Sequence, residues 1–254
     1  IQSSMNEIHI ALSAERLTEW FGIPITNTLI TAWGVMALLT MIAFFVGRNA
    51  KLIPGKVQTL FETLFGFTLD YMAETLENRK MAVKFFPLIV TLFLFIFTSN
   101  VLEFTPGIGS IGWFAEVDGH TEFTPLLRSV NTDLNVTLAL AVIAFLVIEV
   151  TGIMVIGFLK YAGKFVNFKS PLGFLIGIIE LFSEIARLIS FSFRLFGNIF
   201  AGEVLIVVII FFIPYFVPVP LMLFEVFVGF IQAAIFALLT LFFIRIAITP
   251  VEDH

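Results

Sequence analysis

The sequence predicts an all-α polytopic membrane protein: about five membrane helices, an amphipathic helix on the cytoplasmic side, and a long, strongly tilted helical hairpin at the C-terminal end. Three observations predict it. Hydrophobic residues fill 59% of the 254 positions, with a mean hydropathy of +1.05. Only 13% of residues are charged, against about 25% in soluble domains. The apolar residues also fall into four long runs separated by basic or polar segments, and each run is at least one bilayer thickness long. Thirty-three phenylalanines make a surface suited only to lipid or protein, so a soluble domain with an outsized core is set aside.

The elements follow in chain order. Residues 1–26 form an external N-terminal segment with neither a basic n-region nor an apolar h-region, so no signal peptide is visible. A first membrane helix covers 28–47 and closes on Arg48, Asn49 and Lys51. Over 56–78, Val57, Leu60, Phe61, Leu64, Phe65 and Met72 recur near helical spacing with Gln58, Glu62, Asp70 and Glu74 between them. That pattern predicts an interfacial amphipathic helix with an anchoring role. Membrane helices are expected at 85–104, after Arg79, Lys80 and Lys84, and at 134–159, before Lys160, Lys164 and Lys169. The last run, Pro171 to Ile248, is broken around Pro214, Pro218 and Pro220 into helices 171–213 and 220–246.

Basic residues orient these spans. Six lie in the 48–84 segment and three at 160–169, but residues 1–26 hold only Arg16 and the 105–133 loop only Arg128. The excess of Lys and Arg marks cytoplasmic loops, which puts the N-terminus outside and, with Arg245, the C-terminus inside. The hairpin has an unusual length. At about 1.5 Å per residue, 171–213 would be roughly 64 Å long. Crossing a core of about 30 Å at that length needs a tilt near 60°, beyond the usual range of about 0–40°. The two helices therefore incline or bend and present a broad face to something else in the bilayer.

Composition excludes several function classes. No basic stripe suits nucleic-acid phosphates. The absence of Cys removes disulfides, thiolate catalysis and Cys-based metal sites. His9, His120 and His254 are far apart, so no metal site is expected. No phosphate-binding G-x-x-x-x-G-K-[ST] loop occurs, and no cofactor or catalytic residue is assigned.

Chemistry concentrates in the charges of the apolar hairpin: Glu180, Glu184, Arg187, Arg194, Glu203 and Glu225. Each costs about 2.5–3.5 kcal/mol or more inside a bilayer, so such residues mark function unless they only pair with one another to fix register. At about 100° per residue, Asn198, Arg187 and Glu180 lie within roughly 40° of Arg194, and Glu203 falls on the opposite face. Glu225 and Gln232, seven apart, share a face of the next helix. Arg194 thus stands between Glu180 and Glu184 on one side and Glu203 and Glu225 on the other. Carboxyls in a water-lined cleft can take up and release protons. Arginine cannot release its own, so it would interrupt a proton wire and attract a mobile carboxylate from a partner. This arrangement suits transport coupled to a partner's movement.

The string Ser192-Phe193-Arg194-Leu195-Phe196-Gly197-Asn198-Ile199-Phe200-Ala201-Gly202-Glu203 closely resembles the signature of subunit a of the F-type ATP synthases. Pro54-Gly55-Lys56-Val57-Gln58, Ser99-Asn100-Val101-Leu102-Glu103, Thr132-Asp133-Leu134-Asn135-Val136-Thr137 and the stretch Gln232 to Leu241 match it in the family's order, from about residue 25 onward. The resemblance implies a stator subunit with two offset proton half-channels, not itself catalytic. Its partners would be a ring of c subunits, the peripheral-stalk subunit b and the rest of the synthase.

By position, Arg194 matches the essential arginine facing the ring, and Gln232 matches the glutamine beside it. Glu203 matches the acid of the half-channel opening away from the catalytic head, and Glu225 stands where several bacterial members carry His. Asn198 matches a polar position near the path, Glu180 an acid of the half-channel toward the head, and Asn100 and Glu103 polar residues on the outer side. Glu184 and Ser190 join the head side on face and position alone. A bacterial plasma membrane is expected, with the mitochondrial inner membrane as the alternative. Two other classes stay in view. A secondary transporter would favour internal repeats, which are not seen, and a structural anchor would make the hairpin charges dispensable.

Overall fold

A computed structural model describes residues 14, 16–20, 22–103, 112–117, 120–125, 127–165 and 171–249. Most of the 1–26 segment, together with Phe104, Lys169, His9 and His254, lies outside the described residues, as do the side chains of His120 and Pro171. The order of elements is β1 (Arg16–Trp20), β2 (Ile23–Thr26), α1 (Asn27–Arg48), α2 (Lys56–Thr75), α3 (Arg79–Glu103), β3 (Gly112–Val117), β4 (His120–Pro125), α4 (Leu134–Ile156), α5 (Phe158–Phe165), α6 (Pro171–Phe212) and α7 (Pro218–Ile248). Five of the helices, α1, α3, α4, α6 and α7, are long and apolar enough to cross a membrane, and the molecule is a multi-pass all-α membrane protein. The strands form two antiparallel hairpins, β1 with β2 and β3 with β4, which the sequence reading did not anticipate.

The helix ends follow from local chemistry. Thr26 caps α1 by accepting from the Leu29 amide at 3.3 Å, and Asp133 caps α4 by accepting from Asn135 at 2.9 Å. The other oxygen of Asp133 accepts from Thr28 at 2.8 Å, which ties the start of α1 to the start of α4. Asn78 accepts from the Lys80 and Met81 amides, so α3 begins at Arg79, six residues before its apolar run, and carries Pro87 inside it. The third apolar run is divided at Gly157, whose φ of +93° and ψ of 144° suit only glycine, and α5 leaves α4 there. Pro218 occupies the first turn of α7, where its missing N–H costs nothing.

The core is built on α3 and α7, which run antiparallel. On α3, Ala82, Phe85, Ile89, Leu92, Ile96, Ser99 and Asn100 recur at three- and four-residue intervals and are buried. Toward one end, Met72 and Leu76 next to α3 meet Ile148 of α4 and Ala237, Leu241, Ile244 and Ala247 of α7. Higher up, Phe191, Leu195 and Ile199 of α6 pack against Leu92, Ile96, Ala141, Ala144, Ala233 and Phe236. Phe191 meets Phe236 edge to face at 4.9 Å. The rest of α2 leaves Val57, Leu60, Leu64 and Phe67 exposed. At 42 residues, α6 is about 63 Å long and cannot stand upright in a bilayer core.

Candidate functional site: a cation between two acid clusters

Helix α6 sorts its residues by turn. Phe191, Leu195 and Ile199 face the core. Ser190, Arg194, Asn198 and Ala201, at intervals of three and four, emerge on the surface of the bundle. The Arg194 guanidinium donates to Ser190 Oγ at 3.3 Å, and no carboxylate among the described residues lies within ion-pair distance of it. A small cleft between α6 and α7 is lined by Phe191, Arg194, Leu195, Gln232, Ile235 and Phe236. Gln232 is buried, so Arg194 and Gln232 share this cleft from neighbouring helices.

At one end of α6, nine residues or roughly 14 Å beyond Arg194, three carboxyls converge. Glu203, Glu225 and Arg128 are charged neighbours of Glu103, whose carboxyl is buried beside the Ser129 hydroxyl. The carboxylate of Glu225 lies directly over Gly202, where any Cβ would collide with it. Arg128, entering from the segment before α4, holds Nη2 3.6 Å from Glu203 Oε2 and is itself only 9% exposed. Around them, Asn100 donates to the Gly229 carbonyl at 3.0 Å and accepts from Asn131 at 2.6 Å. The absence of a side chain at Gly229 is what lets Asn100 approach the α7 backbone. A buried polar patch in which Ser99 and Glu225 hold oxygens without a hydrogen-bond partner among the described residues is costly in an apolar bundle. Its chemistry is that of groups able to exchange protons and bind water.

At the other end of α6 the acids are paired. Lys164 of α5 lies 2.6 Å from Glu180 and 3.3 Å from Glu184, and Arg187 binds the second oxygen of Glu184 at 2.6 Å. The Arg187 guanidinium also covers the Phe243 ring at 4.1 Å. Glu149 of α4 accepts from the Tyr161 hydroxyl at 3.0 Å and is in electrostatic contact with Glu184. Burial and then the Glu149 carboxylate push the Tyr161 phenol above its usual range.

The fold therefore brings the sequence-predicted residues into three groups. Asn100, Glu103, Glu203 and Glu225 come together; Arg194, Ser190, Asn198 and Gln232 lie mid-helix; Glu180 and Glu184 gather with Arg187. Mutual pairing of the hairpin charges, which sequence alone leaves open, is realised for Glu184 with Arg187, while Glu180 pairs with Lys164 of α5 and Arg194 with no carboxylate among the described residues. Sequence reasoning missed Arg128, Asn131, Glu149 and Lys164. For Glu149 a signal existed, since it is a lone acid in an apolar run and so meets the criterion applied to the hairpin.

Comparison with known proteins places this geometry in a family. Residues 29–245 match the family described as ATP synthase A chain. The chain is 34% identical over 233 residues to a protein of Propionigenium modestum named ATP synthase subunit a, sodium ion specific, covering 91% of this chain and 77% of the relative. It is 34% identical over 251 residues to ATP synthase subunit a of Mycobacterium marinum, covering 96% of each. A Campylobacter jejuni subunit a is 33% identical over 225 residues, covering 87% of this chain and 90% of the relative. The chain belongs to the ATP synthase subunit a family, a component of the membrane-embedded, ion-conducting F0 sector.

Proposed function

We propose that this subunit forms two offset proton half-channels that load and unload carboxylates on a rotating ring of c subunits, coupling proton flow to ATP synthesis without catalytic chemistry of its own. The observation that carries this reading is Arg194: a permanent cation on the exposed face of an apolar helix, without a carboxylate partner among the described residues, midway between two acid clusters. An uncompensated cation among lipid tails costs about 2.5–3.5 kcal/mol or more, so this face calls for a partner that supplies a carboxylate. The inclined α6–α7 hairpin offers the broad surface for it.

In this mechanism a proton enters from outside by Glu103, Glu203 and Glu225, among Asn100 and the neighbouring hydroxyls, and reaches a ring carboxylate. The neutral carboxyl turns into lipid and returns after nearly a full revolution on the other side of Arg194. There the positive charge favours its ionised form, and the proton leaves toward Glu180 and Glu184. Arg194 cannot lose its proton, so it blocks a direct leak between the two paths. Gln232, in the same cleft, holds the guanidinium in place, and Asn198 and Ser190 keep the ring-facing stripe small and polar. The subunit lies in a bacterial plasma membrane with its N-terminus outside and its C-terminus in the cytoplasm, and subunit b completes the stator.

Arg194→Ala tests the reading. In inverted membrane vesicles with the complex still assembled, ATP-driven pumping is expected to stop; pumping at the wild-type rate refutes it. Arg194→Lys keeps a charge that can be lost, and coupling is expected to loosen. The name of the P. modestum relative favours sodium as a second reading. Pumping that persists in sodium-free medium supports protons, and pumping that requires added sodium supports the second.

A further inference from the structure

Helix α5 is a docked element, not a simple connection. Gly157, in a conformation reserved for glycine, turns the chain out of α4. Tyr161 is buried against Gly152, where a Cβ would strike its ring. The carbonyl of Phe165, at the end of α5, abuts Gly177 so closely that α6 can carry no side chain there. Two glycines on two helices thus seat eight residues, and of their two lysines Lys164 reaches Glu180 at 2.6 Å and Glu184 at 3.3 Å. The ammonium is also held near the rings of Tyr161 and Phe165, at 5.9 and 5.6 Å. Glu184 has a second cation in Arg187, whereas among the described residues Glu180 pairs with Lys164. The charged and titratable groups that face Lys164 are Glu180, Glu184 and Arg187 from α6, Glu149 from α4 and Tyr161 from its own helix.

We infer that Lys164 is a positioning residue of the proton-release path: seated by α5, its ammonium gathers the carboxyl groups of Glu180 and Glu184 at the end of α6 where protons from the ring leave. The inference rests on the half-channel reading above. Its physical basis is direct. An opposite charge within about 4–6 Å favours the ionised form of a carboxyl, and its removal favours the protonated form. Synthesis requires release to the cytoplasm and is slowed by that change. ATP-driven pumping requires uptake from the cytoplasm and is not. A residue that only stabilised the fold would lower both together.

The test compares both directions in membrane vesicles carrying the whole synthase, with assembly checked by membrane-bound ATPase. For Lys164→Gln, the cytoplasmic-side pH profiles of both directions are expected to move alkaline. The ratio of synthesis to pumping near pH 7 falls about threefold to tenfold. Lys164→Arg keeps the cation and is expected to retain the wild-type profile. An unchanged ratio in Lys164→Gln, an equal loss in both directions, failure of Lys164→Gln to assemble, or a displaced profile in Lys164→Arg each overturns the inference. Arg194→Ala in the same vesicles separates the two readings. If that variant still pumps, the half-channel mechanism itself fails; if it is inactive while Lys164→Gln is unaltered, only the role of Lys164 fails.

Discussion

Gly202 gives the sharpest test of how the outer acid cluster is built. A Cβ at this position would overlap the carboxylate of Glu225, with Oε1 at 2.8 Å and the other two atoms nearer still. Ordinary contact begins near 3.4 Å, so Gly202→Ala forces the carboxylate to retreat by on the order of 1 Å, a displacement that can cost about a hundredfold where groups must be held for transfer. Two effects oppose each other. Alanine is the better helix former by about 1 kcal/mol, which favours assembly. The clash falls on the end of a flexible side chain, which can swing away at little cost to the fold. Assembly should therefore survive while function suffers. We expect Gly202→Ala to lower ATP-driven pumping at least tenfold, read by a pH-sensitive dye in inverted vesicles and normalised to membrane-bound ATPase. Glu225→Asp, one methylene shorter, should recover part of the loss in the double variant. Wild-type pumping by Gly202→Ala would refute the claim that proton transfer depends on where the Glu225 carboxylate rests.

Three further perturbations follow from the same contacts. Arg128→Gln removes the cation paired with Glu203; breaking a buried pair costs about 3–5 kcal/mol, reduced to roughly 1–3 because Glu203 is 26% exposed. A fall of several degrees in the thermal inactivation midpoint of the purified complex is expected, and an unchanged midpoint would count against it. Gly157→Ala places a side chain at φ +93° and should cost about 1–3 kcal/mol. It should also shift the synthesis-to-pumping ratio in the direction of Lys164→Gln, because it moves α5. Arg245→Ala breaks a pair with Glu77 in which the side chains are 42% and 73% exposed; such pairs contribute about 0.2–1 kcal/mol, so pumping and stability should stay within error of wild type.

How far the sequence could be read depended on whether a feature is local. The apolar runs at 28–47 and 134–159 and the break near Pro214 to Pro220 depend on neighbours within a few turns, and helices α1, α4, α6 and α7 stand there. The start of α3 was less legible. Its first turn is charged and contributes nothing to an apolar count, yet Asn78 caps it and Pro87 is accommodated inside. The β-hairpins at 16–26 and 112–125 lack the strict alternation that marks strands to a reader of single sequences. At the site, Arg194 and Glu203 lie within one motif and were visible together. Arg128 and Lys164 were not, because each reaches its carboxylate across a turn of the tertiary fold. Both had been counted only as loop charges that orient the spans.

Those two basic residues change what Arg194 signifies. An intramembrane arginine surrounded by acids of its own chain could be a register pin, and the sequence alone left that possibility open. In the fold the nearby acids are otherwise engaged: Glu203 with Arg128, Glu180 with Lys164, and Glu184 with both Lys164 and Arg187. Local cations at the two ends hold these carboxylates away from the middle of α6. Among the described residues Arg194 keeps a hydroxyl, that of Ser190 at 3.3 Å. The consequence is a distinction between charges. Neutralising Arg128 or Lys164 leaves an acid of this chain short of a partner. Neutralising Arg194 orphans nothing in this chain, so no second substitution within it should restore pumping. An intragenic suppressor of Arg194→Ala that restored coupled pumping would show that its essential partner lies in this subunit after all.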